Sequence, residues 1–235
     1  MNKSIDIVLP VYNEEELLEY NTLKLHTHLS SFFKDYNWKI IIAENGSNDQ
    51  TFRIAKKLCK KYSNISCFHL KTKGRGFALR NAWTDSKADI VCYMDIDLST
   101  DLSHLKDLIS SVGAKYTAAT GSRLSNLSKV SRPIYRSFLS KSYNFLVRLI
   151  LKTKIMDLGC GFKAAKRELI VPLFKSVKSN DWFFDAELFL LIEKKEYSIK
   201  QIPVKWMHGA KSKVKLTSII SEYMKSIIRM RIMGY

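Results

Sequence analysis

The sequence predicts an α/β fold: a mostly parallel central sheet flanked by helices, followed by a C-terminal amphipathic helix. Three observations predict it. Near-continuous apolar runs recur at residues 5–10, 38–44 and 88–95. Stretches of helical period separate them. Each run breaks off at a polar motif, in turn LPVYNE, AENGSND and MDIDLS. Continuous rather than alternating apolar runs are what strands buried on both faces require. Strands that alternate with helices imply parallel pairing through right-handed crossovers. In such sheets ligands bind beyond the carboxyl ends of the strands, so the three polar motifs are expected along one edge.

The elements follow in order. IDIVLP (5–10) is a short strand ended by Pro10. Residues 14–33 place Leu17, Leu18, Leu25, Leu29, Phe32 and Phe33 at helical spacing, and Asn13 is a fitting cap with acidic residues in the first turn. WKIIIAE (38–44) is the second strand. Gly46 then permits a turn, and Ser47, Asn48 or Asp49 caps a helix over 49–62. A helix over 76–86 carries Ala78, Leu79, Ala82 and Trp83. ADIVCYMD (88–95) is the third strand and TAATGSRL (117–124) a further one. Residues 131–152 read as a basic amphipathic helix with Ile134, Phe138, Leu139, Leu146, Leu149 and Ile150 as its apolar positions. DLGCGFKAAKREL (157–169) reads as a glycine-containing turn that enters a helix. WFFDAELFLLIEKK (182–195) is an apolar helix, SIKQIPVKW (198–206) a strand, and 218–233 a last amphipathic helix. No long linker, repeat or low-complexity tract interrupts them.

The chemistry starts at Asp95 and Asp97. Two carboxylates two residues apart on an extended chain share a face. At a strand end they suit a hard divalent cation that keeps waters and bridges to substrate phosphates. A polar turn at the end of a strand is the plainer account. Glu44, at a neighbouring strand tip, is an acceptor for a nucleobase N–H or a ribose hydroxyl. KTKGRGFALR (71–80) sets Gly74 and Gly76 among Lys73 and Arg75 just before a helix, a backbone and cation cradle for phosphate. A glycine pair alone is more often only a loop.

VLPVYNE, ENGSNDQT, KGRGFALRNA and DIDLS, in this order and spacing, resemble the family 2 glycosyltransferases of the GT-A (Rossmann-like) fold. GSRL, Arg136 with Ser140, DLGCGFKA, WFFDAEL and GAKSKV resemble the branch of dolichyl-phosphate sugar synthases, closer to its glucosyltransferases than to its mannose synthases. The resemblance implies a GT-A domain over 1–213, with a nucleotide-binding half to about 122 and an acceptor half from 123. Residues 214–235 would be a basic membrane-associating helix. It implies that Asp97 is the more direct ligand of Mg²⁺ or Mn²⁺, with Asp95 nearer ribose or metal. Ser99 falls near that metal position. Pro10, Tyr12 and Glu14 would line the nucleotide pocket and Glu44 would contact the base. This chain has Glu44-Asn45-Gly46-Ser47 where the family carries Asp-Asp-Gly-Ser, which removes one charge. Arg123 and Arg136 would meet phosphates, and Ser212 and Lys213 match a late basic loop. Asp185 and Glu187 fall where many members carry a general base. A lipid phosphate is already ionised near neutrality, with a second pKa of about 6 as in phosphoserine, so they are expected to hold sugar hydroxyls or to position groups.

Charge points the same way. The net charge is +17, and it is zoned: 123–154 is dense in Lys and Arg without one acidic residue, and from 208 to 235 Glu222 is the only acid. Such segments suit a lipid phosphate and an anionic membrane surface, at about 1 kcal/mol per cation near that surface. The expected reaction is a single inverting displacement that moves a hexose from a nucleotide-sugar donor, UDP-glucose or GDP-mannose, to a polyprenyl (dolichyl) phosphate. A hydroxyl acceptor is the alternative, and a nucleotidyltransferase is a rival with the same metal logic. A nucleic-acid partner is not expected, since no motif for one is present. No run approaches the ~18 apolar residues of a membrane span. The four cysteines lack paired spacing. A peripheral, reduced protein at the cytoplasmic face of a membrane is therefore expected, with a membrane subunit or a second copy left open as partner.

Overall fold

The structure, a computed structural model, describes residues 3–207 and 216–234, without the side chains of Ala114, Arg136 and 216–220. Ser212 and Lys213 lie outside the described residues. Strands β1 (Ser4–Val11), β2 (Asn37–Asn45), β3 (Ile65–Leu70), β4 (Ile90–Met94), β5 (Ala118–Ser122), β7 (Phe162–Lys166) and β8 (Ile199–Pro203) form one seven-stranded sheet in the order β3-β2-β1-β4-β7-β5-β8. A separate parallel pair joins β6 (Lys129–Ser131) to β9 (Lys205–Met207). All pairings in the large sheet are parallel except the two made by β7.

The continuous apolar runs are explained by burial on both faces. Along β1, Ile5, Ile7 and Leu9 enter one core layer with α1 (Leu18–Phe32), α2 (Thr51–Lys61) and α4 (Leu105–Ala114). Val8, from the opposite face, enters the other with α3 (Arg75–Asp85), α5 (Ile134–Leu151), α7 (Phe184–Lys194) and α8 (Leu216–Ile232). Gly76 lets α3 approach α7: a Cβ there would lie 2.3 Å from Phe184 Cβ. α8 sends Ile227 and Met230 into the second layer, so it packs on the body of the fold.

Several expectations change. FKAAK, read as the start of a helix, is β7, antiparallel between β4 and β5, and the helix that follows, α6 (Arg167–Ile170), is one turn long. Ladder pairing on both edges overrides the helical preference of Ala and Lys. The strand expected over 198–206 divides into β8 and β9 on either side of Val204, where the chain changes sheet. β3, β6 and α4 are additional elements. The helix over 131–152 forms, but its apolar stripe faces outward. Ile134, Phe138 and Leu149 are 87%, 69% and 65% exposed, while Asn144, Val147 and Leu151 are the buried side.

Candidate active site

The carboxyl ends of β1, β2 and β4 lie side by side, because β1 pairs with both of the others. The loops after β1 and β2 are zipped together. Asn13 N–H donates to Ser47 Oγ (2.9 Å), Asn48 N–H to Asn13 Oδ1 (3.0 Å) and Glu14 N–H to Thr51 Oγ1 (2.8 Å). Asn13 and Gly46 have φ of 54° and 82°, conformations that Asn and Gly accept at low cost. Pro10 and Tyr12 stand partly exposed on this rim, and Lys73 Nζ lies 4.0 Å over the Tyr12 ring. Asn45 ties the next loop in: its Nδ2 donates to Val11 O (2.8 Å) and its Oδ1 accepts from Gly74 N–H (3.3 Å). This is a structural use for the residue that replaces the second family Asp.

Glu44 is fully buried, and both its oxygens are engaged, one by Ser47 N–H (2.5 Å) and the other by His69 Nδ1. It is therefore an anchor, and the half-exposed His69 imidazole is the group that it presents to the rim.

Asp95 and Asp97 do reach the same edge, but by a turn rather than by the pleat of a strand. β4 ends at Met94, Leu98 N–H closes a turn on Asp95 O (3.1 Å), and Ile96 points into the core. Asp95 lies over Gly161, where a Cβ would stand 1.9 Å from Asp95 Oδ2. Its Oδ1 accepts from Arg75 Nη2 (2.6 Å). The Arg75 guanidinium is held between the rings of Tyr93 (5.0 Å) and Trp182 (5.1 Å). Burial pushes the Asp95 carboxyl above the ordinary range, against the pull of Arg75 and with the push of Asp97 and Asp185. Asp97 is exposed, and its two oxygens accept from the amide and the hydroxyl of Ser99 (3.0 and 2.6 Å). No third His, Cys, Asp or Glu joins them among the described residues. Two carboxylates without a full protein cage fit a hard divalent ion whose coordination is completed by substrate phosphates and water.

Beneath this edge lie two buried charge pairs. Asp185, in the first turn of α7, accepts at Oδ2 from Lys163 Nζ and from Tyr93 OH (2.5 Å each). Lys163 also donates to Leu158 O and Cys160 O (2.8 and 2.7 Å). Burial raises the Asp185 carboxyl, but Lys163 and Arg75 more than reverse this and hold it below the ordinary range. Arg123 makes three hydrogen bonds to Asp157, from its backbone N–H (2.9 Å), Nε and Nη2 (2.8 Å each). Its guanidinium lies 5.6 Å from the Trp206 ring, with Arg132 at 6.0 Å from the same ring.

Of the residues singled out in the sequence, Pro10, Tyr12, Lys73, Gly74, Asp95 and Asp97 are set along one edge, with Arg123 and Asp185 beneath it. Glu14 is fixed there by its backbone. Glu187 is not part of it: its oxygens accept from Lys178 N–H, Ser179 N–H and Arg229 Nη2, which fastens α8 to the loop before α7. Tyr93, Asp157, Lys163, His69, Arg132 and Trp206 were not anticipated. Asp157 and Lys163 carried one usable signal, a charge inside an otherwise apolar and glycine-rich segment, which implies a buried partner.

A family model described as "Glycosyl transferase family 2" matches residues 6–174. Glycosyltransferase AglD of Haloferax volcanii is 36% identical over 228 residues, which are 96% of this chain and 36% of the relative. The chain thus spans about a third of that protein. Dolichyl-phosphate beta-glucosyltransferase of Mus musculus is 29% identical over 226 residues, 90% of this chain and 70% of the relative. Among solved structures, glucosyl-3-phosphoglycerate synthase from Mycobacterium tuberculosis with UDP superposes with a TM-score of 0.69 at 18% identity, covering 98% of this chain and 79% of the other. The same enzyme with Mn²⁺ and UDP-glucose gives 0.65 at 19% identity, over 97% and 79%. The structural likeness shows the GT-A arrangement of sheet and helices, and the family match decides the rest: the chain belongs to glycosyl transferase family 2.

Proposed function

We propose that this chain transfers a hexose, glucose from UDP-glucose in the first instance, to the phosphate of a polyprenyl (dolichyl) lipid in one inverting displacement. The dolichyl-phosphate glucosyltransferases among its relatives support that acceptor class. The observation that carries it is the state of Asp185. A carboxylate neutralised by Lys163, bonded by Tyr93 and held below the ordinary range is a poor proton acceptor at neutral pH. A sugar or lipid hydroxyl needs a base; an ionised lipid phosphate does not.

Pro10, Tyr12, Glu14 and the Glu44–His69 pair surround the nucleoside, and Lys73, on the loop that Asn45 ties in through Gly74, faces the donor phosphates. Asp97 and Asp95 would hold Mg²⁺ or Mn²⁺. When bound, that ion neutralises charge on the departing nucleoside diphosphate. Arg123, aimed by Asp157, meets the acceptor phosphate, and its bidentate fork suits that group. Arg136, Ser212 and Lys213 are assigned to the same anion. Asp185 acts as a positioning group: tied to Lys163 and Tyr93 beneath the edge, it fixes the floor against which the sugar ring meets the incoming phosphate.

The outward apolar stripe of α5, with Lys141 and Arg148 beside it, is assigned to the lipid surface at the cytoplasmic face. Fully burying one large apolar side chain is worth about 1.5–3 kcal/mol, so a few such residues would hold the chain at a bilayer. No helix among the described residues is long and apolar enough to cross one.

The test is a transfer assay with Mg²⁺ or Mn²⁺, a polyprenyl phosphate, and UDP-glucose, GDP-mannose or UDP-N-acetylglucosamine in turn, beside Asp97→Asn. Lipid-linked sugar from one donor, lost in the variant, is expected. Donor hydrolysis with no lipid product would move the acceptor to a hydroxyl.

A further inference from the structure

We propose that Arg75 is a built-in counter-cation that competes with the divalent ion for Asp95, so that the ion is taken up together with the donor diphosphate. The proposal rests on the reading of Asp95 and Asp97 as the ion site and adds a loading order to it.

The geometry carries the argument. Arg75 Nη2 donates to Asp95 Oδ1 at 2.6 Å, a short charge-assisted bond. Asp95 is seated against the Gly161 backbone, its carboxylate atoms lying 1.9–2.7 Å from where a Cβ would stand, and its amide is bonded to Gly161 O (3.2 Å). Arg75 is equally fixed. Its side chain is only 13% exposed and lies between Tyr93 and Trp182. The next two residues are pinned: Gly76 against Phe184, and Phe77 by its N–H to Asn180 O (2.8 Å). Trp182 is itself held, its carbonyl accepting from Tyr223 OH (3.1 Å) on α8.

The electrostatic consequence is direct. A divalent ion on Asp95 adds two positive charges beside a guanidinium that already neutralises that carboxylate. Only Asp97 then offers an unneutralised charge to the ion, and one carboxylate is a weak site for a strongly hydrated cation. A nucleoside diphosphate brings the missing negative charge. Ion and donor therefore strengthen each other's binding, by the same factor in both directions.

The experiment follows free Mn²⁺ by electron paramagnetic resonance, with and without UDP, in the wild-type protein, Arg75→Gln, Asp95→Asn and Arg75→Gln/Asp95→Asn. Removal of the guanidinium is expected to tighten Mn²⁺ binding without UDP about tenfold, and to shrink the enhancement by UDP correspondingly. Asp95→Asn alone is expected to weaken Mn²⁺ binding, since it leaves the Arg75 guanidinium uncompensated beside the ion, and to abolish the gain in the double variant. Unchanged or weaker Mn²⁺ binding by Arg75→Gln, with its circular dichroism intact, would overturn the proposal. If that variant does not fold, wild-type protein that binds Mn²⁺ equally tightly with and without UDP would overturn it. Failure of the underlying site reading is distinguishable: Mn²⁺ binding with UDP would then survive Asp97→Asn.

Discussion

Asp157→Ala removes the buried carboxylate that aims Arg123. Asp157 is fully buried and accepts three hydrogen bonds from one residue, two of them from the guanidinium. The Arg123 side chain is nearly enclosed as well, so truncation leaves an arginine without its counter-charge. Breaking such a pair by deleting one partner costs about 3–5 kcal/mol. For a chain of this size each kcal/mol moves the melting temperature by roughly 2–4 °C, so a fall of roughly 6–20 °C is expected. Lys205→Met is the internal control. It breaks an exposed 3.4 Å contact with Asp101, worth less than about 1 kcal/mol. Urea unfolding of both variants at neutral pH measures the difference. If Asp157→Ala loses no more than Lys205→Met, the pair is not the support inferred here, and Arg123 is positioned by something else.

Gly161→Ala should displace the Asp95 carboxylate while the sheet survives, because the new methyl would stand 1.9 Å from Oδ2. Calorimetry should show loss of Mn²⁺-dependent UDP binding with a stability penalty of about 1–3 kcal/mol; retained binding would refute it. Asp157 and Asp185 are both held below the ordinary carboxylate range. Their contribution is complete above the unfolded-state value of about 3.9 and is lost as pH falls through their folded values. The urea midpoint should therefore drop below about pH 4, and a flat profile into that range would contradict the pairing. On α5, Ile134→Ser with Phe138→Ser should leave the urea midpoint within about 0.5 kcal/mol, since both side chains are exposed. The same variant should bind phosphatidylserine vesicles more weakly in a sedimentation assay, and unchanged binding would remove α5 from the membrane face.

What was legible in the sequence has a physical pattern. β1, β2 and β4 announced themselves because burial on both faces demands unbroken apolar runs. β3 did not, because ISCFHL is mostly half-buried at the sheet edge and needs no such run. α4 carried a readable stripe, Leu105, Leu108, Ile109 and Val112, all buried. β7 was hidden by composition, since nothing local in FKAAK opposes a helix and only its two neighbours make it a strand. Periodicity identified α5 as a helix but could not say which face the fold covers, and the apolar face is the uncovered one.

In the site, the strand-end motifs located the edge, because parallel topology forces those ends together. The partners of its charges were hidden. Arg123–Asp157 and Lys163–Asp185 join residues 34 and 22 positions apart, and no spacing rule connects them. Glu44 was recognisable as an acceptor, but that His69 already uses it depends on the register of β2 with β3.

The most direct measurement offers one labelled UDP-glucose pool to the chain with a polyprenyl phosphate and, in parallel, with the matching polyprenol. An Asp185 tied to Lys163 and Tyr93 predicts labelled lipid from the phosphate and none from the alcohol. Label on the alcohol, abolished by Asp185→Asn, would contradict the account and make Asp185 a base.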